Sequence, residues 1–237
     1  MTVKIFQAEV DAGIEDLVRS NASFAYSSLA TPYSPDSTEE EKAKLLAFSS
    51  EAGSNPDQFD LYYLNSVLVS TGWNKNDDVF DIREVWEARN TPEDKQFNFM
   101  HDESDIIGHI TGNKVIDKNG MDISDETSFD QLPDKFDIVT SAVLYNSWAD
   151  PERKMRMDSI IEEIGQGDWF VSMECLFRGF DYAVVNPKGQ HKIIARDEDS
   201  AFLTKHLRVY GGEGEYEGHK LGRLLKNISF SGKGLVR

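Results

Sequence analysis

Two residues of the chain, Ser172 and His101, combine the types that hydrolytic chemistry needs: a hydroxyl nucleophile and an imidazole base. Ser172 lies in the otherwise apolar run WFVSM at 169–173, where a hydroxyl is out of place unless it is hydrogen-bonded or takes part in a reaction. His101 follows FNFM at 97–100 and precedes an acidic bend, which is typical of the edge of a sheet beside a cleft. A third group must orient the base, and donors must stabilise the oxyanion. The simpler interpretations are a buried serine bonded to a backbone carbonyl and a surface histidine paired with a neighbouring acid.

The other histidines and the single cysteine indicate no metal or cofactor site. His109, His191, His206 and His219 show no metal-ligand spacing with one another, with His101 or with Cys175. The sequence has no Gly-x-x-x-x-Gly-Lys-Ser/Thr loop, and the glycines at 211–214 follow a predicted helix instead of preceding one, so a phosphate-binding loop is not indicated. Cys175 is a weaker candidate nucleophile than Ser172, because a cysteine in a strand is usually a small buried hydrophobe.

Composition and charge limit the compartment and the partners that we expect. One cysteine permits no intramolecular disulfide, which excludes a disulfide-stapled secreted fold. The net charge of −17 repels nucleic-acid phosphates and anionic lipids and attracts basic scaffolds, unless the acidity serves only solubility. The start of the chain lacks a basic region followed by an apolar run, and no apolar stretch approaches the ~20 residues of a membrane span. We therefore expect a cytoplasmic protein that binds neither nucleic acid nor membrane.

Hydrophobic periodicity predicts a helical N-terminal extension over 1–55 and one further domain over 56–237. Helical spacing occurs at 12–18 and 38–48, and the SNPD sequence at 54–57 interrupts it. Beyond that point the pattern predicts strands at 59–71, 97–101, 105–111, 136–144, 168–177, 182–185, 192–195 and 225–230, and helices at 79–88, 151–164 (closed by Gly165) and 200–210. The strands do not alternate regularly with helices, so we expect an α+β fold around an antiparallel or barrel-like sheet instead of a doubly wound one.

The order of these pieces across 59–237 resembles the prohead proteases of tailed bacteriophages, which are relatives of the herpesvirus assemblins. In that family a histidine precedes an Ile-Gly-like strand, as His101 precedes IIGHI at 106–110. The family's serine follows Leu or Val at the start of a strand that a glycine-containing turn connects to a helix, as Ser172 follows Val171. The ending LKNISFSGKGLV at 225–236 is similar to the strand that precedes a Pro-Ala-Asn segment in prohead proteases.

The resemblance implies an assemblin-like antiparallel β-barrel with inserted helices and a serine endopeptidase activity without a cofactor. Ser172 would be the nucleophile and His101 the general base. The third member falls on Asn227, where assemblins carry a second histidine and some phage relatives an acidic residue; Asp181 and His206 are its rivals. Backbone amides near a predicted turn at 231–234 would bind the oxyanion.

The same resemblance implies scaffold or core proteins and capsid-protein extensions as substrates, cleaved in the host cytoplasm inside the assembling prohead, with a homo-oligomer possible. Two alternatives remain at this point. One is a catalytically inactive head or scaffold-associated protein with the same fold, which Asn227 and the long acidic N-terminal region favour. The other is a non-viral cytoplasmic hydrolase with the same Ser-His pair. The sequence also leaves open whether the N-terminal extension is a propeptide.

Overall fold

The computed structural model describes residues 3–20, the backbone of 22–29, and residues 60–237. Their helices are α1 (Gln7–Asp11), α2 (Glu15–Arg19), α3 (Ile82–Ala88) and α4 (Pro151–Gln166), with 3-10 helices at Phe129–Gln131, Ala201–His206 and Arg208–Tyr210. The strands are β1 (Ala22–Leu29), β2 (Leu61–Ser70), β3 (Gly72–Trp73), β4 (Asp78–Phe80), β5 (Gln96–Phe99), β6 (Asp102–Asp117), β7 (Phe136–Tyr145), β8 (Phe170–Leu176), β9 (Gly179–Val185), β10 (His191–Ile194), β11 (Glu215–Tyr216), β12 (His219–Lys226) and β13 (Ser229–Val236). The fold is therefore mixed α+β, which confirms the predicted class at that level.

The chain forms two compact units. The first unit comprises Met1–Ala25, Thr71–Ala88 and Cys175–Ser229, and the second comprises Tyr26–Ser70, Arg89–Glu174 and Phe230–Arg237. A sheet in the order β10-β9-β12-β4-β3, with β11 beside β12, belongs to the first unit. Most of a seven-stranded sheet in the order β1-β8-β13-β5-β6-β7-β2 belongs to the second unit.

A buried ion pair joins the N-terminal helices to the rest of the first unit. Glu9 of α1 is fully buried, and its carboxylate accepts hydrogen bonds of 2.6–2.8 Å from the Arg196 guanidinium and of 2.7 Å from the Thr204 hydroxyl. Removing one member of such a pair would leave an uncompensated buried charge and destabilise the unit, so these contacts fix the position of α1. The predicted extension thus contains helices, although it also contains strand β1; the helix predicted at 38–48 and the boundary near 55 lie outside the described residues.

Helix α4 covers the apolar face of the second unit's sheet. The Asp150 side chain accepts a hydrogen bond from the backbone N–H of Glu152 and Pro151 occupies the first turn, which together favour a helix start here. Three buried side chains at helical spacing, those of Met157, Ile160 and Ile164, pack on residues of the strands. The strand residues in this core are Leu64, Phe97, Ile107, Ala142, Leu144, Val171 and Leu235. The predicted helix is confirmed, and it continues past Gly165 to Gln166.

Lys233 of β13 shows that this sheet is strongly curled. Its side-chain nitrogen donates hydrogen bonds to the hydroxyls of Ser66 on β2 and Thr140 on β7, and all three residues are fully buried. The sheet order separates β13 from β2 by four strand spacings, about 19 Å in a flat sheet, which a lysine side chain cannot span. The inner face of the sheet must therefore curve until β13 approaches β2 and β7 across the core.

Two sequence predictions near the C-terminal end are wrong. The predicted strand at 225–230 is interrupted, because β12 ends at Lys226, β13 begins at Ser229, and Asn227 between them adopts a left-handed conformation with φ 52°. Asparagine tolerates that conformation better than most residues, which suits it to the turn between Lys226 and Ser229. The predicted turn at 231–234 is part of β13, where Gly232 pairs with Gln96 and Gly234 with Asn98; its glycines serve close packing, as described below.

Two predicted helices are shorter or of another kind. Residues 78–80 pair with β12 and β3 as strand β4, so the helix predicted at 79–88 begins only at Ile82. The segment predicted as a helix at 200–210 forms two 3-10 helices separated by Leu207. Helical spacing alone does not separate a 3-10 turn from an α-helix over so few residues.

We expect the stability of the protein to rise with pH above about 7 because of Lys233. Burial lowers the pKa of this lysine to about 7, whereas it is ~10.4 in an unfolded chain. Between these values the unfolded chain binds a proton that the folded chain does not, so stability increases with pH; below pH 7 the full cost of the buried charge is present. In Lys233→Met this slope should disappear, as measured by urea unfolding between pH 6 and 10.

Lys135→Met is the matched control, since Lys135 is exposed in the same unit. It should keep the wild-type pH dependence. An unchanged slope in Lys233→Met would contradict the assignment of a neutral lysine to the folded core.

Candidate functional site

His101 occupies a strained two-residue turn between β5 and β6. Met100 and His101 both have positive φ, 54° and 62°, a conformation that few residues other than glycine adopt. The backbone N–H of Met100 donates to the carbonyl of Leu235 on β13 at 2.9 Å, which fixes the turn to the neighbouring strand. The His101 side chain is 28% exposed. Local strain of this kind persists only where surrounding contacts hold it, and it is common at functional sites.

Ser172 and Glu174 lie on one face of β8. Side chains two residues apart in a strand point to the same side, so these two share a face and the core residue Val171 points to the other. Both polar side chains are buried, with residue exposures of 5% for Ser172 and 8% for Glu174. A buried carboxylate requires partners that stabilise its charge.

Two residues of the same unit, His101 and Asn98, contact the Glu174 carboxylate. Oε1 of its carboxylate lies 3.2 Å from Nδ1 of His101, and the same oxygen accepts a hydrogen bond of 2.6 Å from Nδ2 of Asn98 on β5. The carboxylate thus reaches an asparagine that precedes Phe99, the last residue of β5, and a histidine in the turn that follows it. A carboxylate on Nδ1 holds an imidazole in one orientation, stabilises its protonated form and leaves proton transfer to Nε2.

The two glycines of β13 make this contact possible. β13 lies between β8 and β5, so Glu174 and His101 must approach each other over the intervening strand, across two strand spacings or about 10 Å. A Cβ atom on Gly232 would lie 2.7 Å from Oε2 of Glu174, and one on Gly234 would lie 2.9 Å from Nδ1 of His101. Since real contacts of a Cβ atom are longer, any side chain at either position would displace the carboxylate or the imidazole.

The residues predicted as a site fall into both units. Ser172 and His101 belong to the second unit; among the described residues no hydrogen bond joins the Ser172 hydroxyl to His101. Asn227, Asp181 and His206 belong to the first unit. The hydrogen bonds found for the residues in the described ranges join none of these three side chains to His101.

Each candidate for the third position has its own surroundings in the first unit. Asn227 is exposed, and its backbone N–H donates to Glu84 at 2.6 Å. Asp181 accepts a hydrogen bond of 3.0 Å from the backbone N–H of Arg196. The His206 ring lies 4.8 Å from the Tyr216 ring, centroid to centroid.

Glu174 and Asn98 are the polar site residues that the sequence analysis did not identify. The spacing Ser172-x-Glu174 within a predicted strand is a signal that was present, because it places both side chains on one face. Asn98 lies between Phe97 and Phe99, and a polar residue between two aromatic ones in a strand indicates that the two faces differ. Neither signal gives the strand order that brings Glu174 to His101.

Cys175 remains a poor nucleophile in the structure. Burial raises the pKa of its thiol to about 12, so the reactive thiolate is not formed near neutral pH. Within residues 3–20 and 60–237, no group of three or more histidine, cysteine, aspartate or glutamate side chains is arranged to hold a metal ion. No helix in that part of the chain is both long and apolar enough to cross a membrane.

Comparisons with known proteins find no match: no family model fits the chain, and neither a curated protein nor a solved structure is significantly similar to it.

Replacing Gly234 by alanine should separate His101 from Glu174 without unfolding the protein. The backbone at 234 has no positive φ, so alanine is tolerated there, but its Cβ would occupy the position that the imidazole now takes. We expect the NMR signal of the hydrogen-bonded Nδ1 proton of His101 to be lost, with the melting temperature changed by only a few degrees.

Gly112→Ala is the matched control in a strand of the same unit. There a Cβ would meet the Ser141 hydroxyl at 3.5 Å, an ordinary contact, and the His101 signal should persist. Persistence of the signal in Gly234→Ala would show that the imidazole does not depend on this space.

Proposed function

We propose that this protein is a serine endopeptidase in which Ser172 is the nucleophile, His101 the general base and Glu174 the acidic residue that orients the base. The observation that carries the proposal is the contact of 3.2 Å between the His101 imidazole and the Glu174 carboxylate. That carboxylate shares one face of β8 with Ser172. A nucleophile, a base and a carboxylate that orients the base are the three parts of a serine hydrolase triad.

The proposed reaction has two balanced halves. Ser172 Oγ attacks the scissile carbonyl carbon while Nε2 of His101 takes the hydroxyl proton, and the resulting imidazolium gives that proton to the leaving amine as the peptide bond breaks. Water then attacks the acyl-serine, His101 takes a proton from it, and that proton returns to Ser172 as the new carboxylic acid departs. Glu174 stays ionised throughout and stabilises the imidazolium.

For the substrates we propose phage scaffold or core proteins and capsid-protein extensions, cleaved inside an assembling prohead in the host cytoplasm. Support comes from the resemblance of the segment order over 59–237 to the prohead proteases. A strongly curled sheet with an inserted helix α4 is compatible with the proposed assemblin-like barrel. The charge of −17 is compatible with basic scaffold proteins as partners and with the expected lack of nucleic-acid and membrane binding.

A catalytically inactive head or scaffold-associated protein is the second candidate. It is favoured by the state of Ser172, which is 5% exposed and has no hydrogen bond to His101 among the described residues. Catalytic hydrogen bonds are often long before a substrate binds, so this geometry suits both candidates. The two differ in whether Ser172 reacts.

We expect Ser172 to react covalently with a fluorophosphonate and to be needed for cleavage of a co-expressed candidate scaffold protein. Ser172→Ala and His101→Ala should each lower cleavage by several orders of magnitude, because each removes a member of one proton-transfer unit. Mass spectrometry of the labelled protein should place the phosphonate on Ser172.

Ser104→Ala is the control for this experiment. Ser104 is exposed beside the His101 turn and bonds only to Asp102 among the described contacts. The Ser104→Ala protein should therefore react with the fluorophosphonate at Ser172 and cleave the scaffold protein like wild type. Cleavage that persists in both Ser172→Ala and His101→Ala would eliminate the proposed pair. A wild-type protein that neither reacts nor cleaves inside assembled proheads would support the structural role instead.

A comparison of Glu174→Gln with Asn227→Ala should identify the third member. Glutamine keeps the shape of Glu174 but removes the charge that stabilises imidazolium, and a comparable change in a serine protease lowers kcat on the order of 10⁴-fold. Asn227→Ala should leave kcat close to wild type, because the exposed Asn227 has no described bond to His101. The reverse ranking in steady-state kinetics would return the third position to Asn227.

A further inference from the structure

Asn98 is a fully buried polar residue in the middle of β5. Its neighbour Phe97 points into the apolar core with Lys233, so Asn98 points to the opposite face, the one that carries Glu174. Placing an amide at a position without any solvent exposure costs free energy unless its polar atoms are bonded. An asparagine at position 98 is therefore expected to form hydrogen bonds through its side-chain amide.

The amide of Asn98 is bonded on one side only. Nδ2 donates to Oε1 of Glu174 at 2.6 Å, whereas Oδ1 is buried and has no hydrogen-bond partner among the described residues. A flipped amide would place its oxygen against the carboxylate and repel it, so the charge of Glu174 determines the orientation. An unpaired buried acceptor costs free energy, and a leucine of similar size would avoid that cost.

The carboxylate oxygen that Asn98 binds is the one that faces His101. Oε1 of Glu174 lies 2.6 Å from Nδ2 of Asn98 and 3.2 Å from Nδ1 of His101. A Glu side chain has three rotatable bonds, and without a second contact its carboxylate can turn away from the imidazole. The short bond from Asn98 to a charged acceptor is of the strong, charge-assisted kind.

We infer that Asn98 is the positioning residue of the Glu174–His101 pair: it holds the Glu174 carboxylate against the imidazole, at the expense of an unpaired oxygen of its own. This inference rests on the proposed function for its kinetic consequences. Its structural content, the dependence of the His101 contact on Asn98, stands without that function. Among the described hydrogen bonds, the side chain of Asn98 bonds to Glu174 and not to Ser172, so Asn98 acts through Glu174.

Two isosteric variants test the role in the full-length protein. Asn98→Leu removes the donor, and we expect kcat to fall about 10²-fold with KM nearly unchanged, as misplacing a catalytic group by ~1 Å does. Asn98→Asp can donate only while the two adjacent carboxyl groups share a proton, and at higher pH the two carboxylates repel each other. The ratio of its kcat/KM to that of wild type should therefore rise as the pH falls.

The rising ratio is a signature that a merely structural role would not give. Asn65→Leu is the matched control, since Asn65 is a buried asparagine, 6% exposed, on β2 of the same unit; it should leave kcat and the pH profile as in wild type. Melting temperatures of all variants identify any that fail to fold. If Asn98→Leu keeps the wild-type kcat, or Asn98→Asp shows a constant ratio across pH, the inference is overturned.

An NMR experiment separates this inference from the proposed function. The experiment uses the Ser172→Ala protein, because the measurement does not depend on catalytic activity. In this protein the NMR signal of the hydrogen-bonded Nδ1 proton of His101 should be visible, and it should be absent when Glu174→Gln is added. Adding Asn98→Leu instead should weaken it by at least half. An undiminished signal overturns the role of Asn98 even in an active protease, whereas a lost signal supports it even if the wild type cleaves nothing.

Discussion

The alternation of Gly232, Lys233 and Gly234 along β13 is the constraint on which the second unit depends. Lys233 points inward, and its side-chain nitrogen bonds to hydroxyls on β2 and β7, which requires a strongly curled sheet. The glycines point outward, and their missing side chains leave the space that the Glu174 carboxylate and the His101 imidazole occupy. One strand therefore sets both the curvature of the sheet and the geometry of the candidate site.

The two faces of β13 place opposite demands on charge. Inside, Lys233 is held by neutral hydroxyls beside the Phe97 ring, and burial lowers its pKa to about 7, so the core favours the neutral amine. Outside, Glu174 is buried as an acid between a histidine and an amide donor. Lys233 does not serve as the counter-ion of Glu174, since its side chain lies on the other face. Among the described residues, the hydrogen-bonding contacts of the Glu174 carboxylate are with the His101 imidazole and the Asn98 amide.

The candidate triad differs from the expected one in its third member, and the reason is topological. Asn227 was expected from its place in a late strand, but it occupies an exposed turn of the first unit, whereas the sheet order β8-β13-β5 brings Glu174 to His101. Residues 73 positions apart thus meet over a strand that lies later in the chain than both. No local pattern contains that order, because strands far apart in the sequence can also pair as neighbours in a sheet.

The sequence by itself determined the α+β class, helix α4, most strand positions and the two residue types on which the proposed chemistry rests, because periodicity and local polarity depend on near neighbours. Only the tertiary structure decided that Glu174 and Asn98 join His101, that Lys233 is buried between hydroxyls, and that the glycines at 232 and 234 lie inside a strand instead of a turn. In a sequence, a glycine is equally typical of a turn and of a strand position that another group approaches closely. Which side chain occupies the space beside each glycine depends on the order and curvature of the strands, which the sequence pattern does not contain.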